Sequence, residues 1–280
     1  NDETNESLKV KITYNDYPNT LFAGQTTVVD GLFEFTFMVP KDIRYNYGNG
    51  RITYYAYDTE AREEGIGHFE DFVIGGSSSV EIQDTIGPDI HMYINSPEFQ
   101  DGGTTYEFPH FFANIYDENG INTVGTGIGH DLLMIVDENP KHTYVLNDYF
   151  IASNNSYQQG QVSYKMPEME EGAHTLTFRA WDLLNNSSTA MLNFQVVKGQ
   201  DPQIHKVITY PNPVGPSDDL IFHIDHDQPD EIIETTINLY DLSGRMIHTH
   251  VQRGVEGIRW NISELGMNSG IYVYQVSIKT

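Results

Sequence analysis

Cysteine is absent from the 280 residues of the sequence, and long apolar runs are absent too. Without a thiol, the chain has no disulfide bond, no thiolate metal site and no cysteine nucleophile. No run approaches the roughly 18 apolar residues that a membrane-spanning helix needs. A Gly-x-Ser-x-Gly motif is also missing, so the strand–turn–helix of a serine hydrolase is not predicted. We therefore expect no catalytic residue and no enzyme activity in this chain.

Basic residues are scarce. Lys and Arg number 15 against 40 Asp and Glu, which gives a formal net charge of −25. A field of this sign repels the phosphates of nucleic acids and of anionic membrane surfaces. We expect no nucleic-acid partner and no direct insertion into a membrane.

Helical periodicity is almost missing, and apolar residues alternate with polar ones instead. The alternation is clearest in Phe33–Val39, Val162–Met166 and Leu176–Ala180. A period of two with one apolar face is typical of half-buried strands. Short strands separated by Gly and Asn turns predict an all-β chain of antiparallel sandwiches.

The sequence contains an internal repeat. Ile52–Asp58 resembles Leu176–Asp182, and the same number of residues separates Asp58 from Gly75 and Asp182 from Gly199. A strand closed by proline precedes each copy. Two copies of one module explain this order more simply than coincidence does.

Three modules follow from the repeat and from the turn-rich stretches between its copies. We predict an immunoglobulin-like sandwich over 1–83, a second one over 84–199 and a small C-terminal sandwich over 200–280. The first copy is the shorter one, and we expect its missing strands upstream, in a longer parent chain.

The C-terminal module carries three ordered motifs. Their residues are Tyr210, Pro211, Asn212 and Pro213, then Tyr240, Asp241, Gly244 and Arg245, and finally Gly270, Ile271 and Tyr272. Together they resemble the C-terminal sorting domain of type IX secretion cargo. The resemblance implies export across a bacterial outer membrane and attachment at the cell surface, and it makes these eleven residues the candidate sorting-motif residues.

A narrower resemblance covers nearly the whole chain and concerns the type IX secretion sortases, which are gingipain-like cysteine peptidases. It is carried by Ile52–Asp58, Phe72–Gly76, Asp84–Pro88 and Phe178–Ser188, placed ahead of the sorting motifs. In that family the catalytic His and Cys belong to an upstream domain, and no catalytic position can be carried over to a chain without cysteine. The resemblance implies a non-catalytic spacer and docking region. It also implies the secretion translocon and an outer-membrane β-barrel protein, PorV-like, as partners, with peripheral attachment to the outer membrane.

Two alternatives fit the same motifs. The chain could be the tail of a secreted gingipain-like protease, or a surface adhesin or glycan-binding protein exported by the same system. Clustered tyrosines such as Tyr54, Tyr55 and Tyr57 would serve a glycan-binding face, although core packing explains them as well. The residues upstream of Asn1 would separate the first alternative from a sortase.

No cofactor is expected, and structural calcium remains a minor alternative. Carboxylate and carbonyl oxygens on loops are typical calcium ligands, and they are offered by Asp84, Asp117–Gly120, Asp137–Asn139 and Asp182. Asx-turns account for the same residues without a metal. His248 and His250 share one strand face but have no third ligand nearby, so solvated histidines are expected rather than a metal site.

Overall fold

The structure, a computed structural model, describes residues 20–41, 47–58, 61–76, 78, 82–124, 129–228, 231–254 and 258–280. In these residues strands dominate, and the helical elements are three short 3-10 turns, Pro140–His142, Asn147–Tyr149 and Ile262–Leu265. The all-β fold class is confirmed. No helix in the described residues is long and apolar enough to cross a membrane.

The described part of the first predicted module contains four strands. They are β1 (Gly48–Asn49), β2 (Ile52–Asp58), β3 (Glu63–Phe69) and β4 (Val73–Ile74). β2 and β3 form an antiparallel hairpin, and β1 pairs with β4. β2 is the first copy of the internal repeat, which therefore begins a hairpin.

The paired strand predicted over Phe33–Val39 is wrong, because these residues join no ladder in the described part of the chain. The alternation itself is present. The rings of Phe33, Phe35 and Phe37 stack along one side, with centroids 6.4 and 6.1 Å apart. An extended chain keeps a period of two without a partner strand. These rings and Tyr54 line an open cleft of about 1360 Å³.

The second module is a sandwich of two sheets. Its strands are β5 (Asp89–Ile94), β6 (Gly103–Thr105), β7 (His110–Tyr116), β8 (Leu133–Val136), β9 (Thr143–Val145), β10 (Phe150–Ala152), β11 (Gln159–Lys165), β12 (Gly172–Trp181) and β13 (Ser187–Val196). One sheet has the order β10-β11-β7-β5 and the other β6-β13-β12-β8-β9. All pairings are antiparallel except that of β13 with β6. β12 and β13 form the hairpin that contains the second copy of the repeat.

The core of this sandwich lies between the facing sides of the two sheets. Val162 of one sheet and Phe178 of the other are fully buried, as the alternation predicts. Phe111 meets Phe178 across the sandwich at 5.4 Å between ring centroids. Trp181, the last residue of β12, is only half-buried, and its ring lies 4.3 Å from that of His130.

The C-terminal module is a smaller sandwich of two three-stranded sheets. Its strands are β14 (Ile204–Tyr210), β15 (Asp219–His226), β16 (Ile233–Tyr240), β17 (Met246–Gly254), β18 (Ile258–Asn261) and β19 (Val273–Lys279). The sheet orders are β14-β15-β18 and β17-β16-β19, and all pairings are antiparallel. Phe222 is fully buried between the sheets, with its ring 5.1 Å from Trp260 and 5.2 Å from Tyr274.

Candidate docking end of the C-terminal sandwich

The three sequence motifs lie at one end of the C-terminal sandwich. At this end β14 connects to β15 through 211–218, β16 to β17 through 241–245, and β18 to β19 through 262–272. Paired strands in each sheet are antiparallel, and β15 ends and β16 begins at the opposite end. Antiparallel pairing therefore gathers all three connections at the same end. We call it the distal end and define it by 210–218, 241–245 and 262–272.

The opposite end, which includes Gln228 and Glu231, faces the second sandwich. The side-chain amide of Gln228 donates to the carbonyl oxygen of Gln200, the first residue after the second sandwich, at 2.7 Å. Glu231 lies 4.0 Å from the ammonium group of Lys165 on β11. The chain also ends on this side, because Lys279 pairs with Glu234 at the start of β16. The distal end thus points away from the second sandwich.

The first motif forms the exit from β14. Tyr210 is the last residue of this strand, and its side chain is about half exposed. The Tyr210–Pro211 and Asn212–Pro213 peptide bonds are both cis. Proline has no N–H to donate to a ladder, so the strand ends at this point.

The second motif is a turn organised by Asp241. Its Oδ1 atom accepts hydrogen bonds from the backbone N–H and hydroxyl of Ser243 and from the backbone N–H of Arg245. Its Oδ2 atom accepts from the Nε of Arg245 at 3.1 Å. Donation by the Ser243 hydroxyl, followed by the Arg245 N–H, holds the pKa of Asp241 below its usual value. Gly244 supplies the positive φ of 82° that the turn requires.

The third motif leads into β19. The Tyr272 side chain packs against the core of the small sandwich, and its hydroxyl donates to the carbonyl oxygen of Asn268 at 2.9 Å. The preceding Ile271 points outward and is 73% exposed. Gly270, Ile271 and Tyr272 precede the strand, because pairing with β16 begins at Val273.

Exposed apolar side chains cluster beside these motifs. Leu242, inside the Asp241 turn, is 71% exposed. Met246 and Val273 are both register partners of Tyr240 and are each about half exposed. The second sequence motif identifies Tyr240, Asp241, Gly244 and Arg245 as candidate residues but does not include Leu242, which lies between them. The sequence does contain a signal for Leu242, because it is an aliphatic residue inside a turn of polar residues and glycine.

A second candidate site is a group of three aspartates in the second sandwich. Carboxylate oxygens of Asp84, Asp117 and Asp182 lie within 4.8 Å of one another. Each also serves a turn: Asp84 accepts from the N–H of Ile86, Asp117 from that of Asn119, and Asp182 from those of Leu184 and Asn186. These bonds include the Asx-turns that the sequence indicates for these residues.

Asp117 is the member of this group whose pKa is raised. Burial raises the pKa of its carboxyl to about 6, and the neighbouring charges of Asp182 and Asp84 act in the same direction. The side chain of Asp117 is nearly inaccessible and that of Asp182 is fully buried. Like charges held close together in a buried position favour the protonated form of one partner.

The other predicted site residues are not brought together. Asp137 lies apart from the three aspartates and bonds to His174 and to the N–H of Thr175. His248 and His250 do share one strand face, but the expectation that they are solvated is wrong. Both are half-buried, with rings 5.4 and 5.6 Å from that of Trp260, because this face of β17 covers the core.

The clustered tyrosines divide between two faces of the β2–β3 hairpin. Tyr54 points into the open cleft beside the phenylalanine rings and is half-buried. Tyr55 and Tyr57 point outward, are well exposed, and stack on each other at 6.2 Å. Core packing therefore explains Tyr54 only in part and does not explain the other two.

Comparison with known protein families identifies the C-terminal sandwich. Residues 208–280 match the family described as the secretion system C-terminal sorting domain. The chain is thus an all-β region that ends in a type IX secretion sorting domain, and such a domain indicates export and association with the cell surface. No curated protein sequence gives a significant match.

One solved structure resembles the chain over nearly its whole length. It is the crystal structure of dimeric latent PorU from Porphyromonas gingivalis, which is 32% identical over 99% of this chain, with a TM-score of 0.46. The chain spans only 27% of the length of that PorU chain. The domains FN1–FN3 of chicken CNTN1 are 10% identical, covering 81% of this chain and 68% of theirs, with a TM-score of 0.24.

Proposed function

We propose that this chain is the non-catalytic C-terminal region of a PorU-like surface protein. The first two modules act as a spacer, and the C-terminal sandwich acts as the sorting and docking module. The observation that carries this proposal is the gathering of the three sorting motifs at the distal end, away from the second sandwich. An end that projects from the chain is free to meet a partner while the spacer holds the upstream part of the protein at a distance.

The partners in this proposal are the secretion translocon and a PorV-like β-barrel protein of the outer membrane. Attachment would be peripheral and through protein contacts. An excess of carboxylates over basic groups disfavours binding to anionic lipid headgroups. Catalysis would belong to the part of the parent protein that precedes Asn1.

Surface retention in a bacterium with type IX secretion tests this function. The 280-residue chain, supplied with an export signal, is compared with a version that ends at Pro202. We expect only the longer chain to be accessible to antibody on intact cells. Equal surface signal from both versions would contradict the docking role, and total protein in lysed cells serves as the loading control.

Glycan binding is a second candidate, favoured by one observation. Tyr55 and Tyr57 present a stacked, exposed aromatic pair, and aromatic faces of this kind suit the apolar faces of sugars. A glycan array probed with the chain and with Tyr57→Ser tests this candidate. Binding that disappears in the variant would support it, and the absence of binding by the chain itself would exclude it.

A further inference from the structure

The described charged side chains at the distal end have partners within the sandwich, although the whole chain is strongly acidic. Asp241 is paired with Arg245, and Asp219, which follows 211–218, lies 3.4 Å from Arg259. Asp218 accepts a hydrogen bond from the backbone N–H of Gly215. An ion paired within the chain has less left to offer a partner of opposite charge.

The distal end also carries exposed apolar side chains, which take no part in these ion pairs and hydrogen bonds. Leu242 and Ile271 are among the most exposed aliphatic residues of the C-terminal sandwich, at 71% and 73%. Both lie within two residues of one register row, in which Tyr240 pairs with Met246 on one side and Val273 on the other. Leu242 follows Tyr240 in the turn, and Ile271 precedes Val273. Burial of two aliphatic side chains is enough to dominate the energy of a small contact.

We propose that the distal end binds its partner through an apolar contact centred on Leu242 and Ile271. This proposal rests on the docking function proposed above. The partner is a folded protein of the outer membrane that offers an apolar acceptor surface. The Asp241–Arg245 pair orients the turn and does not itself form the main contact.

The chemistry favours a protein over a lipid or a glycan. Lipid headgroups are bound by free basic groups, whereas Arg245 and Arg259, near the distal end, are both in ion pairs. Sugars stack on exposed aromatic rings, whereas Tyr210, an aromatic residue at this end, is less exposed than Leu242 and Ile271. Protein contacts typically place apolar anchors at the centre of an interface, inside a polar rim.

Binding to outer-membrane vesicles tests the proposal. The probes are vesicles from a strain with type IX secretion, vesicles from a strain that lacks the system, and protein-free liposomes of the same lipids. The double variant Leu242→Ser/Ile271→Ser is compared with the matched control Ile232→Ser/Val251→Ser. The control residues are 58% and 56% exposed and lie outside the distal end. Circular dichroism and thermal melts establish that both variants are folded.

The proposal predicts that the wild-type chain binds only the first vesicles. The distal variant should bind at least tenfold more weakly and the control should be unchanged. Wild-type binding should also change little between 0.15 and 0.5 M salt, because apolar contacts are not screened. Equal affinity of the distal variant, a steep loss of affinity with salt, or equal binding to liposomes would each overturn the apolar contact while leaving docking intact. Failure of the wild-type chain to bind any probe would overturn both.

Discussion

At the scale of single residues, aspartates and glycines fix the loops that the strands leave open. Asp182 and Asp241 each accept several hydrogen bonds within one turn, one in the second sandwich and one at the distal end. The sequence indicates such turns through the residues that follow each aspartate. It does not indicate that Asp84, distant in sequence, meets Asp117 and Asp182, because that approach depends on how the segment before β5 packs on the β12–β13 hairpin.

The raised pKa of Asp117 predicts a pH-dependent stability. An unfolded aspartate titrates near 3.9, so the native state binds more protons between pH 4 and 6. Stability from this group therefore falls as pH rises through that window and stays lower above it. We expect Asp117→Asn to raise the free energy of unfolding by roughly 1–2 kcal/mol at pH 7.5 and by little at pH 4.5. Denaturant melts in the presence of EDTA measure the difference, and a pH-independent difference would contradict the assignment.

Gly87 is required where the segment before β5 touches the β12–β13 hairpin. A Cβ at this position would lie 2.4 Å from the backbone carbonyl carbon of Ser187. We expect Gly87→Ala to destabilise the second sandwich by about 1–3 kcal/mol, because backbone cannot move aside as a flexible side chain can. Gly65→Ala is the control, since a Cβ there meets nothing within 4 Å. Thermal melts of equal midpoint for the two variants would show that the contact is not a tight one.

At the scale of elements, alternation predicts side-chain direction better than it predicts pairing. Val162–Met166 and Leu176–Ala180 have the expected buried faces, whereas Phe33–Val39 alternates without joining a ladder. A ladder needs a neighbouring strand, and local sequence does not identify the neighbour. The burial of His248 and His250 follows the same principle, because the covering sheet decides which face of β17 is inside.

The internal repeat offers a matched test of packing. Tyr54 and Phe178 occupy equivalent positions in the two copies, but Phe178 is fully buried and Tyr54 lines the open cleft. We expect Phe178→Ala to cost about 3–5 kcal/mol and Tyr54→Ala distinctly less, because a fully buried ring leaves a cavity. Denaturant unfolding of the two variants measures both costs. Equal costs would indicate that Tyr54 is as tightly packed as its counterpart.

At the scale of the whole molecule, the chain is a series of β modules, and the last module carries the three sorting motifs on loops at one end. The sequence predicts the all-β class and the sorting motifs, because both rest on local patterns. The boundaries at 83/84 and 199/200 stay predictions. Motif order alone does not show that the three motifs share one end or that this end faces away from the second sandwich. Those properties come from strand directions in two sheets and from the contacts near Gln228.

The most direct test of the central claim is a gain of function. Residues 203–280 are fused to a periplasmic reporter protein in a bacterium with type IX secretion, and residues 84–199 are fused to the same reporter as the control. Protease accessibility of the reporter on intact cells is the measurement. The account predicts that the first fusion is exported to the cell surface and that the control stays in the periplasm. A reporter that stays in the periplasm with residues 203–280 attached, although the fusion is folded, would contradict the account.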